Sequence, residues 1–310
     1  MKTKILLTGK NGQVGGELLH LLPRLGEVAA FDRKHLDLAS PDAIRRIIRE
    51  VQPTLIVNAA AYTAVDQAEK EQPAALAING QAPRVLADEA KKIGAAIVHY
   101  STDYVFDGSK RTPYEESDPP NPINAYGRTK LKGEQAIHDS GVPHLIFRTE
   151  WVYARQGHNF LLTILKLATQ REELKIVSDQ TGAPTSSREI ARATTQILAH
   201  LLDHHANRPS LADLSGTYHM TAGGKTNWHE FAKAILEEAS HADLSVPWIA
   251  AVTGGRPLIA QRVTAIRTED YPTPARRPAN SLLSNARLAK TFDVRLPDWR
   301  ALLHALFSAA

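Results

Sequence analysis

A glycine loop set between an apolar run and a helix-forming run constrains this chain more than any other feature. Lys4-Ile5-Leu6-Leu7-Thr8 reads as a buried strand, Gly9-Lys10-Asn11-Gly12-Gln13-Val14-Gly15 sets glycines three apart, and Glu17-Leu18-Leu19-His20-Leu21-Leu22 reads as a helix. In that context Gly9 permits a tight turn, Gly12 lets the backbone approach a diphosphate, and Gly15 allows close packing of helix on strand. The helix start then offers free N–H groups and the positive end of its dipole to an anion. A plain glycine turn would not require the next apolar run, Val28-Ala29-Ala30-Phe31, which ends on Asp32 where an acid meets an adenosine ribose. Arg33 and Lys34 follow, and suit either a ribose 2′-phosphate or a solvated turn.

Strand and helix signals then alternate. Strands are expected at 4–9, 27–32, 54–60, 96–102, 144–149, 175–180 and 216–221, and helices at 13–23, 41–51, 73–93, 125–140, 158–170, 188–202 and 227–239. This rhythm predicts an α/β protein with a Rossmann-type doubly wound parallel sheet. After about residue 150 the rhythm loosens, Thr181-Gly182-Ala183-Pro184-Thr185 breaks it, and the last ninety residues read as loops with short helices. The expected division is a dinucleotide-binding domain of 1–150 and 188–222 and a smaller, loop-rich substrate domain of 151–187 and 223–310. With 43% hydrophobic and 23% charged residues, the chain is an ordinary globular protein. The absence of cysteine excludes disulfides, zinc–thiolate sites and thiol catalysis, and fits a cytoplasmic location. The first apolar run is too short for a signal peptide, and no stretch approaches a membrane span. A net charge of +4 suits anionic substrates, but no basic run is interleaved with aromatics, so neither nucleic acid nor membrane is an expected partner. His200 and His204 stand four apart near a helix end, and with no third ligand in view they read as a solvated end, not a metal site.

Chemistry is carried by Asn124-Ala125-Tyr126-Gly127-Arg128-Thr129-Lys130. Tyr126 and Lys130 lie four apart, so both project from one face of a helix. An ammonium beside a phenol favours the phenolate. Bringing a tyrosine from about 10 to about 7 takes about 4 kcal/mol, the order that one cation at about 4 Å supplies at an intermediate dielectric. Thr102 ends a strand in His99-Tyr100-Ser101-Thr102-Asp103-Tyr104-Val105-Phe106, where its hydroxyl can assist Tyr126. In Asn58-Ala59-Ala60-Ala61-Tyr62-Thr63-Ala64-Val65-Asp66, small residues after a buried run let a flat ring lie against the backbone.

Together the glycine loop, the Ser-Thr-Asp strand end and Tyr-x-x-x-Lys resemble the extended short-chain dehydrogenases/reductases. More narrowly, these segments are similar to the dTDP-4-dehydrorhamnose reductase family. So are Phe147-Arg148-Thr149-Glu150-Trp151-Val152-Tyr153, Asp179-Gln180-Thr181-Gly182-Ala183-Pro184-Thr185 and Tyr271-Pro272-Thr273-Pro274-Ala275-Arg276-Arg277-Pro278. The resemblance covers nearly the whole chain. It implies reduction of the 4-keto group of a dTDP-sugar, dTDP-4-dehydro-L-rhamnose, by NADPH or NADH, in the service of cell-surface polysaccharide. Tyr126 would donate the proton, Thr102 would hydrogen-bond the same oxygen, and Lys130 would tune Tyr126 and bind the nicotinamide ribose. Gly12, Gln13 and Val14 would hold the diphosphate, and Asp32, Asp37 and Leu38 would border the adenosine. Ala61, Tyr62 and Thr63 would line the cofactor further along, and Asp103, Trp151 and the Arg276/Arg277 region would meet the sugar nucleotide.

Rival readings of the same fold are another nucleotide-sugar 4-reductase, a 4-epimerase, a 4,6-dehydratase or a non-catalytic NADP-binding regulatory subunit. Tyr104 follows Asp103 where the dehydratases carry a glutamate, and an intact Thr102, Tyr126 and Lys130 argue against the regulatory subunit. Some members of the family dimerise around a magnesium ion held by glutamates. Glu17 matches one such position, but Arg188 and Arg300 stand at the others, with Glu189 one place off. Cations cannot ligate Mg²⁺. The expectation is therefore no metal, and a monomer or a metal-independent homodimer. Glu150 stands where a small residue is expected beside Trp151, adding a negative charge near an anionic substrate.

Overall fold

A computed structural model of the chain describes residues 3–203 and 209–308. His204 and His205 lie outside the described residues. The strands are β1 (Lys4–Thr8), β2 (Glu27–Phe31), β3 (Leu55–Asn58), β4 (Ala96–Thr102), β5 (His144–Thr149), β6 (Val152–Tyr153), β7 (Glu173–Val177), β8 (Thr181–Gly182), β9 (Thr185–Ser186), β10 (Gly216–His219), β11 (Thr226–Asn227) and β12 (Arg262–Ile266). The helices are α1 (Gln13–Leu21), α2 (Pro41–Val51), α3 (Val65–Lys70), α4 (Gln72–Leu76), α5 (Ala82–Lys92), α6 (Ala125–Ser140), α7 (Phe160–Ala168), α8 (Ser187–Leu202), α9 (Trp228–His241), α10 (Pro247–Thr253), α11 (Ala286–Phe292) and α12 (Trp299–Ser308).

Six strands form one sheet in the order β10-β5-β4-β3-β1-β2, and every pairing in it is parallel. Helices cover both faces of such a sheet, so its inner strands must be apolar on both sides. Accordingly β3 and β5 are buried at every residue, and two of the apolar cores lie one on each face. From β1 the chain steps to β2 on one side and then crosses to β3 on the other. That reversal opens a crevice beyond the carboxyl ends of β1 and β3, the usual ligand position in an open α/β sheet.

A further core joins α7, α9 and α12 through Leu161, Phe231, Ile235 and Leu303. Around it lie three two-stranded sheets, β7 with β12, β6 with β9 and β8 with β11. The strand expected at 175–180 begins earlier, at Glu173, and pairs with β12 outside the central sheet. Leu288, Phe292, Val294 and Leu296 turn back to pack on the central sheet. The single helix expected at 73–93 is α4, a π-helical turn over Ala77–Gln81, and α5. This turn brings Asn79 inward. Its side chain accepts from the Tyr62 N–H (2.8 Å) and donates to the Tyr62 carbonyl (3.0 Å), fixing the loop after β3.

Candidate active site

Gly9 stands at φ +72°, a left-handed conformation that favours glycine, and a side chain there would strike Ala60 N at 2.8 Å. A Cβ on Gly15 would lie 2.1 Å from the Gly9 carbonyl oxygen, so the loop closes tightly on α1. Whereas α2, α6, α7 and α9 are capped by Ser40, Asn124, Asn159 and Asn227, α1 starts from Gly12 with no side-chain cap. Its first N–H groups therefore face a cavity of about 510 Å³ over the sheet crevice. Gly9, Gly12, Gln13, Val14, Asp32, Arg33, Asp37, Leu38, Ala61, Tyr62, Thr63, Tyr126 and Lys130 all line it, while Gly15 lies beneath the loop. A long cleft with an uncapped helix start at its middle fits a dinucleotide.

At the end of β2, Asp32 Oδ1 accepts from the Lys34 and His35 N–H groups and meets His35 Nδ1 at 2.6 Å. The His35 contact holds the Asp32 carboxyl down to about 2. This acid shapes its own turn and so presents Arg33 to the cleft.

Beyond the cleft lies a second cavity of about 670 Å³, lined by Thr102, Asp103, Tyr104, Tyr126, Glu150, Trp151, Trp228 and Arg277, among others. Tyr126, Ser101 and Thr149 line both cavities, so the phenol stands at their junction. Helix α6 is fixed by Asn124, whose Oδ1 accepts from the Gly127 N–H at 2.8 Å. The Tyr126 ring packs edge-on against Tyr104, and Thr102 lines the same pocket. Burial, then the Asp103 charge, push the Tyr126 pKa up.

Lys130 is buried at the end of β4. It is 1% exposed, and its ammonium donates to the Tyr100 carbonyl (2.5 Å) and meets His99 Nε2 (3.2 Å). Burial lowers its pKa to about 8, against the pull of Glu134. Burial and the Lys130 charge hold His99 well below its ordinary value, so the imidazole is neutral and accepts from the ammonium. On the other side of the ring, Asn58 meets His99 Nδ1 at 3.0 Å. The ammonium is thus anchored at the end of β4 by His99 and the Tyr100 carbonyl. With its pKa raised, the Tyr126 phenol is protonated at neutral pH.

Trp151 stands at φ +47° and stacks on Trp228, with centroids 3.5 Å apart and planes 10° from parallel. Trp228 is held in turn by Gln180, which accepts from its indole N–H at 3.1 Å. Of the two adjacent arginines, Arg276 is exposed and offers only its carbonyl, to Asn124. Arg277 lines the pocket instead, because Asp66 holds its guanidinium through Nη1 (3.1 Å) and Nη2 (2.8 Å). Trp228, Ser101, Thr149 and His158 are lining residues that sequence reasoning did not single out. Ser101 and Thr149 sit within recognised motifs, whereas Trp228 and His158 carry no local signal.

The metal positions considered from the sequence are otherwise engaged. Arg300 pairs with Glu237 (2.9 Å), Glu189 pairs with Arg192 (2.5 Å), and Arg155 lies beside Glu17 and Arg188. Among the described residues no group of three or more His, Asp or Glu is arranged to hold a metal ion. None of the described helices is long and apolar enough to cross a membrane.

A family profile described as the RmlD substrate binding domain matches residues 3–310. The dTDP-4-dehydrorhamnose reductase of Burkholderia thailandensis is 51% identical over 297 residues, covering 96% of this chain and 95% of that protein. The enzyme of the same name from Escherichia coli K12 is 43% identical over 312 residues, 98% of each. In structure the chain is similar to dTDP-4-dehydrorhamnose reductase from Bacillus anthracis in complex with NADP, with a TM-score of 0.87, 32% identity and complete coverage of both chains. The chain belongs to the dTDP-4-dehydrorhamnose reductase family of oxidoreductases.

Proposed function

We propose that this protein reduces the C4 keto group of dTDP-4-dehydro-L-rhamnose to give dTDP-L-rhamnose, with Tyr126 as the proton donor. The observation that carries the reading is the position of Tyr126, which lines both the dinucleotide cleft and the adjoining pocket. The Bacillus anthracis relative binds NADP in the same fold, which supports NADPH here, and Asp32 beside Arg33 is compatible with NADH as well. The N–H groups at the start of α1, with Gln13 and Val14, would hold the diphosphate. Asp37 and Leu38 would border the adenosine, and Ala61, Tyr62 and Thr63 the middle of the cofactor. When bound, a reduced nicotinamide supplies the hydride.

The residues of this chain do the rest. Tyr126 Oη–H gives its proton to the sugar oxygen as negative charge develops there. Thr102 Oγ1 donates a hydrogen bond to the same oxygen, in a pocket walled by buried groups where such a bond counts for more than in water. Lys130, held by His99 and Tyr100, places a cation under this junction and would meet the nicotinamide ribose. Trp151, on its Trp228 support, walls the sugar side, and Arg277 offers a pre-aimed cation to the substrate diphosphate. The second core, around α7, α9 and α12, acts as the substrate side of the molecule, and the protein works as a monomer or a metal-independent homodimer.

The test is oxidation of NADPH with the keto sugar by wild type and Tyr126→Phe. The variant should lose about 10²–10⁴-fold in kcat while binding NADPH normally, since only the proton donor is removed. Near-normal turnover in Tyr126→Phe would take the phenol out of the mechanism.

A further inference from the structure

Asn159 stands just before α7 and is buried. Its Oδ1 accepts from the Leu162 N–H at 3.1 Å and so caps that helix. Its Nδ2 meets the carbonyl oxygens of Ala154 (3.0 Å) and Gln156 (3.2 Å), and Gln13 Oε1 (3.0 Å). These partners fix which end of the amide is which. A backbone N–H can only donate and a backbone carbonyl can only accept, so the capping atom is oxygen and the other is nitrogen. The Gln13 atom that faces this nitrogen must accept, so it is the amide oxygen. The Gln13 NH₂ is thereby turned away from Asn159.

Among the described residues that NH₂ donates to nothing. Gln13 is half-buried and lines both cavities, as Tyr126 does. The two side chains come from opposite faces of the sheet, since α1 packs through Leu18 into one core and α6 through Ile137 into the other. The loop that carries Asn159 lies along the Gln13 stem. Gly157 in that loop holds φ +81°, and a Cβ there would stand 3.4 Å from Gln13 Cγ.

The cofactor diphosphate has the main-chain N–H groups of α1 and does not need this side chain. Asn159 opens α7, a helix of the substrate-side core, so its hold draws the Gln13 amide toward the second cavity. There Arg277 is the cation for the substrate diphosphate, and the part of a sugar nucleotide that reaches Tyr126 is its sugar. Sugar hydroxyl and ring oxygens accept hydrogen bonds. A donor facing them from across the sheet holds the ring on the side that Tyr126 cannot reach, and such orientation carries much of the rate of a two-reactant step.

We propose that Asn159 is a positioning residue that turns the Gln13 NH₂ into the junction of the two cavities, where Gln13 donates a hydrogen bond to an oxygen of the bound sugar from the face opposite Tyr126. The proposal rests on the functional reading given above, because it needs the sugar of a sugar nucleotide at the junction. Gln13 makes and breaks no covalent bond, and the proton lost in turnover leaves Tyr126.

The test compares wild type, Gln13→Met, Asn159→Ser and the double variant by isothermal titration with dTDP-L-rhamnose and with dTDP, each in saturating NADP⁺. Gln13→Met keeps the length of the side chain and every main-chain N–H. It should weaken dTDP-L-rhamnose about tenfold and leave dTDP, which lacks the sugar, as in wild type. A fluorescence titration should show NADPH affinity nearly unchanged. Asn159→Ser keeps a cap on α7 and should also weaken dTDP-L-rhamnose. In the double variant the two losses should not add, because Asn159 acts through Gln13, whereas a general loosening of the loop would add. Unchanged dTDP-L-rhamnose affinity in Gln13→Met overturns the proposal. An equal loss for dTDP, a loss confined to NADPH, or additive losses in the double variant overturn it as well. If these losses appear as expected but wild type oxidises no cofactor with the keto sugar, the functional reading fails and the Gln13 contact stands. A wild type that binds no dTDP-L-rhamnose refutes both.

Discussion

Gly182→Ala tests the sugar side of the site through packing alone. A Cβ at Gly182 would stand 2.5 Å from Trp151 Cε2, 2.7 Å from Trp151 Cζ2 and 2.7 Å from Glu150 Oε2, where ordinary contact begins at 3.4 Å. The neighbours must yield by about 1 Å, and interiors are packed too densely to absorb that freely. Trp151 has little room, because it is stacked on Trp228 and already holds a left-handed backbone. Overpacking of this kind costs about 1–3 kcal/mol. A misplacement of about 1 Å in a positioning group costs up to about 10²-fold in rate. We therefore expect kcat/KM for the sugar nucleotide to fall about 10–100-fold and the melting temperature to drop by a few degrees. NADPH affinity should be unchanged, because neither Gly182 nor Trp151 lines the dinucleotide cleft. Steady-state kinetics, a fluorescence titration with NADPH and a thermal melt together decide it. A normal kcat/KM in a destabilised variant would remove Trp151 from the substrate wall. An equal loss of cofactor affinity would show that the two cavities do not act separately.

Other perturbations address the remaining parts of the site. Arg33→Ala should raise the NADPH KM more than the NADH KM, because Arg33 lines the cleft and can pair a 2′-phosphate; equal rises would show that it does not read the phosphate. Arg277→Met should raise the sugar-nucleotide KM about tenfold, and Arg276→Met much less, since only Arg277 lines the pocket; the reverse ranking contradicts the assignment. Chelator should change neither activity nor the mass seen by light scattering. A dimer that falls to monomer on EDTA and returns with Mg²⁺ would show a metal site that Glu17, Arg188 and Arg300 do not suggest.

The central sheet was legible because parallel strands buried on both faces leave continuous apolar runs, as Leu55-Ile56-Val57 does. The glycine loop was legible for a related reason, since backbone that approaches backbone within a Cβ's reach admits little besides glycine. By contrast β12 lay hidden, because Arg262-Val263-Thr264-Ala265-Ile266 is partly exposed and finds its partner β7 eighty-nine residues earlier in the chain. The choice between Arg276 and Arg277 could not be read locally, because Asp66, on a distant helix, makes it. The four-residue spacing placed Tyr126 and Lys130 on one helix, but it said nothing of His99 and the Tyr100 carbonyl, which hold the ammonium. Glu150 showed only as an anomaly in the sequence, since its partner Ser281 lies far along the chain.

The central claim is net hydride transfer to C4 of the sugar. The most direct measurement incubates the protein with dTDP-4-dehydro-L-rhamnose and NADPH deuterated at the transferable position, then locates the label by mass spectrometry and NMR. The account predicts dTDP-L-rhamnose carrying deuterium at C4, one for each cofactor oxidised. A product without deuterium at C4, or a sugar altered at C4 with no net oxidation of cofactor, would contradict it.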